Sequence, residues 1–153
     1  MTTVIVVEDD PAFLTRFCRA VASAADLALL AAVGDVASAR AAIARQLADG
    51  SRALDEVVDF VVANVKGDVK AVFAGSVLYL KLAGIVLGGW QMGRAALAAQ
   101  RKLDAGEGDA QFYKAKIATA RFFADHILSQ APGMRTAIVD GSAGVMALGV
   151  EQF

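Results

Sequence analysis

At 153 residues the chain has room for one ordinary domain or two very small ones, because a compact core needs on the order of 100 residues. Its composition is 57% hydrophobic with a mean hydropathy of +0.52, above that of a typical globular domain, so extensive burial, a partner surface or a membrane is expected. Fifteen Lys plus Arg against sixteen Asp plus Glu give a formal charge of −1 without a basic run, which excludes a phosphate-collecting nucleic-acid surface, and the single Cys18 excludes an internal disulfide.

The opening "MTTVIVVEDD" has no basic stretch followed by a cleavable apolar one, so a cytoplasmic location is expected. Val4 to Val7 predict a short buried strand that delivers Glu8, Asp9 and Asp10 to its C-terminal edge. Asp10 can cap the helix that follows and Pro11 can take its first position, where a missing N–H is harmless. Phe13, Leu14, Phe17, Cys18 and Val21 share one face of that helix. "LALLAAV", residues 27 to 33, predicts a second strand covered on both faces, and Asp35 then caps an alanine-rich helix through about Leu47.

From Gly50 onward the strand signals stop. Ser51 is a candidate N-cap, and Leu54, Val57, Val58, Val61, Val62 and Val65 recur at helical steps that override the β-propensity of valine. Gly67 and Asp68 predict a stop followed by a new N-cap, and a long helix is expected from Val69 to Leu103. Within it "AVFAGSVLYLKLAGIVLGGW", residues 71 to 90, has the length of a membrane span. Its central Lys81 would cost roughly 2.5 to 3.5 kcal/mol there, so a helix buried among other helices is favoured. "DAGEGD", residues 104 to 109, predicts a loop, with Asp109 capping a helix whose stripe is Tyr113, Ile117, Ala120, Ala124 and Ile127. "APG" at 131 to 133 is expected to end that helix, and a final one to cover Arg135 to Leu148.

Chemistry-bearing residues are sparse. Gly84 with Gly88, and Gly89 with Gly93, stand four apart, a spacing that in a soluble bundle lets another helix approach closely. Trp90 reads as a packing anchor whose indole N–H needs an acceptor. His126 has no Cys or His neighbour at ligand spacing and no nearby nucleophile, and Cys18 reads as core. Tyr113 with Lys114 and Lys116 does not match a Tyr-x-x-x-Lys spacing.

"VIVVEDD", with "PAFLTRFCRAVASAADLALLAAVGDVASARAAI" after it, resembles the beginning of a response-regulator receiver domain over residues 1 to 43. The resemblance implies Mg²⁺ ligands at Glu8 and Asp9, hard oxygens that would neutralise a phosphoryl group moving onto an aspartate. That acceptor should end a third strand. Asp55 stands at a plausible distance, but "GSRALDEVVDF" gives it a helical setting, and the family's Lys-Pro is missing because the prolines are Pro11 and Pro132. Glu8, Asp9 and Asp10 also read as solvated strand-end and capping acids.

"YLKLAGIVLGGW", "KIATARFFADHIL" and "GVMALGVEQF" carry a second resemblance over residues 79 to 153, extended by "QLADGSRALDEVVDFVVANVKGDVKAVFAGSVL". They look like the C-terminal helical domain of bacterial acyl-CoA dehydrogenases of the 3-methylmercaptopropionyl-CoA dehydrogenase type. The resemblance implies an FAD-dependent family whose glutamate base and cofactor contacts lie in domains upstream of this segment, so no cofactor is expected in this chain itself. Glu56, Glu107 and Glu151 are candidate bases, but each also reads as a solvated helix-face or loop glutamate, whereas a base must be buried and pKa-shifted.

The expectation is a mainly α protein. A β-α-β-α segment of two parallel strands, residues 1–45, is receiver-like, and an antiparallel helical bundle, residues 46–153, is of the dehydrogenase C-terminal type. Two strands alone leave edges that seek a partner. The expected function is therefore non-catalytic packing or self-association in a fusion or truncated protein. A receiver-like signalling module and part of an acyl-CoA dehydrogenase activity are the alternatives.

Overall fold

The computed structural model describes residues 36–145 and 147–152. The expected strands at 4 to 7 and 27 to 33, the helix between them, and Glu8, Asp9, Asp10 and Cys18 lie outside the described residues. Within them the chain is helical and contains no strand: α1 (Val36–Asn64), α2 (Val69–Ala74), α3 (Ser76–Asp104), α4 (Ala110–His126), α5 (Ala131–Val139) and α6 (Ser142–Val145), with 3₁₀ turns at Leu128–Gln130 and Val150–Gln152.

Three long rods form the bundle. α1 and α3 run antiparallel, since Gly50 of α1 lies opposite Val86 and Ile43 lies opposite Gly93. The third rod is α4 continued by α5, antiparallel to α3. Phe123 meets Gly88, Leu128 meets Gly89, and Ile138 reaches Gly75. The larger core cluster, with Leu47, Leu54, Val57, Leu82, Val86, Leu128, Met134 and Ile138, fills the space between the rods. A thinner layer of Ile43, Ala96, Ala120 and Ala124 lies nearer the start of α1. Fully burying one of the larger side chains contributes about 1.5 to 3 kcal/mol.

The caps at Asp68 and Asp109 form as expected. The Asp68 carboxylate accepts the Ala71 N–H at 3.1 Å, and that of Asp109 accepts those of Gln111 and Phe112 at 2.8 and 3.2 Å. At the end of α3, Gly106 has φ +67°. Its N–H donates to Leu103 O while that of Glu107 donates to Lys102 O, a Schellman closure that glycine adopts without steric cost. Tyr113, Ile117, Ala120, Ala124 and Ile127 do turn inward, with Ala120 and Ala124 almost fully buried.

Three expectations need correction. α1 runs unbroken through Gly50 and Ser51, so neither ends or starts a helix. Gly50 is a crossing point instead, because a β-carbon there would lie 3.0 Å from Leu128 Cδ1 and 3.3 Å from Val86 Cγ2. The helix expected from Val69 to Leu103 breaks at Gly75, whose missing side chain admits Ile138: a β-carbon would stand 2.7 Å from Ile138 Cγ2. "APG" opens α5 rather than closing α4, with Pro132 in the first turn, where it forfeits no intrahelical bond. The single helix expected over Arg135 to Leu148 is accordingly two, α5 ending at Val139 and the short α6 at Ser142–Val145.

The stretch from 71 to 90 turns Leu82, Val86 and Gly89 to the core and Lys81 to solvent. No helix of the described residues is long and apolar enough to cross a membrane.

Gly89 and Gly133 give opposite expectations. A β-carbon on Gly89 would lie 2.7 Å from Leu128 Cδ2, whereas one on Gly133 meets nothing within 4 Å. Gly89→Ala should destabilise by about 1 to 3 kcal/mol through overpacking. Gly133→Ala should stabilise by up to about 1 kcal/mol through helix propensity. Urea unfolding followed by circular dichroism measures both signs.

Candidate functional site

The sequence candidates do not converge. Asp55 is half-buried in the middle of α1, the helical setting its neighbours predicted, and Asp59 is exposed one turn on. Among the described residues no group of three or more His, Cys, Asp and Glu is placed to hold a metal ion.

The three candidate bases stand apart. Glu56 accepts from Arg135 Nε at 2.6 Å, and Arg135 Nη1 reaches Asp140 at 2.8 Å. Glu107 pairs with Lys102 across the closing turn of α3. Glu151 is exposed in the final 3₁₀ turn. None of the three sits in the water-excluded setting that a proton-abstracting carboxylate needs. His126 is exposed at the end of α4, its ring 4.6 Å from that of Phe122, and its carbonyl accepts from Gln130 Nε2 at 2.7 Å.

Between α1 and α5 runs an open groove of about 310 Å³ lined by Asp49, Arg52, Ala53, Glu56, Pro132, Arg135 and Thr136. Its charges satisfy one another: Asp49 pairs with Arg52 at 3.2 Å, and Arg135 bridges Glu56 and Asp140. A groove whose ionic groups are already paired has no unpaired charge to give an anionic cofactor. Exposed pairs of this kind contribute at most about 1 kcal/mol each.

The glycine pairs act as the spacing suggested, apart from Gly84. Gly88 and Gly89 receive Phe123 and Leu128, Gly93 touches Ile43, and Gly84 faces open space. Trp90 is half-buried with Arg94 over its ring at 5.0 Å. Among the described residues its indole N–H finds no acceptor, and Arg40 Nη1, Ser51 Oγ and Gln100 Oε1 are likewise buried without a partner there. The sequence reading missed Arg40 and Gln100 altogether, since a polar residue at a core-facing helical position is visible only once the register of the rods is known.

Three rods, α1 and α4–α5 each antiparallel to α3 and held by glycine crossings, define a helical bundle domain. The family model described as acetyl-CoA dehydrogenase C-terminal like matches residues 16–149, and the chain belongs to that family. It is also similar to 3-methylmercaptopropionyl-CoA dehydrogenase of Ruegeria pomeroyi, 41% identical over 98 residues. That match takes in 64% of this chain and 16% of the relative, so the chain spans a small part of the relative's length. The family match starts at residue 16 and so takes in most of residues 1 to 43, for which a receiver resemblance was expected; that resemblance is not shown.

Ser51 supplies a test of the orphaned polar groups. Its hydroxyl is buried without a hydrogen-bond partner among the described residues, so Ser51→Ala should stabilise the fold by about 1 kcal/mol, since nothing is lost but an unsatisfied group. A thermal melt that moves downward would contradict this account.

Proposed function

We propose that this chain is the C-terminal helical module of an acyl-CoA dehydrogenase system, serving packing or self-association rather than chemistry. The observation that carries the reading is the family match over residues 16–149. The scattered, ion-paired or exposed glutamates support it, as does the absence of a metal-binding cluster among the described residues. On this reading the flavin, the acyl-CoA and the catalytic base belong to parts of such an enzyme outside this chain. Any oxidation of an acyl-CoA would need them.

A receiver-like role for residues 1 to 43 is favoured by one observation, the carboxylates that end "VIVVEDD". It calls for a phosphoryl acceptor, and Asp55 would have to serve from within a helix. Incubation with acetyl phosphate and Mg²⁺ should leave the mass of the protein unchanged; a gain of one phosphoryl group on Asp55 or Asp59 would establish the signalling reading instead.

The packing role makes a direct prediction. Purified chain should be colourless, should bind no added FAD in a fluorescence titration, and should reduce no electron-accepting dye with acyl-CoA substrates. A flavin absorbance band, or turnover with FAD supplied, would overturn it.

A further inference from the structure

We draw no further inference here: the strongest candidate, the exposed apolar surface patch of Phe73, Val77 and Leu80 along α2 and the start of α3, carries none because nothing in the structure shows what covers it.

Discussion

Leu128 is the contact on which the bundle depends. It sits in the 3₁₀ turn that jogs the third rod between α4 and α5, and it is 1% exposed. Its two methyl groups enter the hollows left by Gly50 on α1 and Gly89 on α3, at separations no β-carbon tolerates without movement. One side chain therefore sets the approach of all three rods. The jog aims it inward, and Ala131 and Pro132 restart the helix immediately afterwards. Interiors packed to crystal-like density transmit such a constraint, because no neighbour has room to yield.

The same geometry accounts for what lies outside. Glycines and alanines hold α1, α3 and α4 close, so the core is filled from one face of each rod and the opposite face of α3 is left over. A helix that is apolar nearly all round belongs inside something larger. For a chain that matches a C-terminal dehydrogenase domain and spans 16% of the length of a relative, an uncovered face is the natural consequence of being a module.

Much of this was legible in the residues. The stripe of Tyr113, Ile117, Ala120 and Ala124, the Asp68 and Asp109 caps, and the loop at 104 to 109 each depend on neighbours within two turns, which sequence spacing reports directly. The resemblance of residues 79 to 153 also pointed to the family now shown. Gly50 and Pro132 were misread, and Gly75 passed over, for a common reason. Glycine and proline punctuate a chain locally, but at these positions long-range partners decide: Leu128 and Val86 at Gly50, Ile138 at Gly75, and the restart of a rod at Pro132. Arg40 and Gln100 were missed because which polar side chain ends up inside depends on the register between rods. As for a site, the scattered Glu56, Glu107 and Glu151 read as solvated in the sequence and are ion-paired or exposed in the fold.

A double-mutant cycle between Gly89 and Leu128 tests this organisation most directly. If Leu128 occupies the hollow of Gly89, the methyl group added by Gly89→Ala partly fills the space that Leu128→Ala empties. The double variant should then be more stable than the sum of the single losses by at least about 1 kcal/mol in urea unfolding. Losses that add to within about 0.5 kcal/mol would mean the two sites are independent and would contradict the central place of this contact.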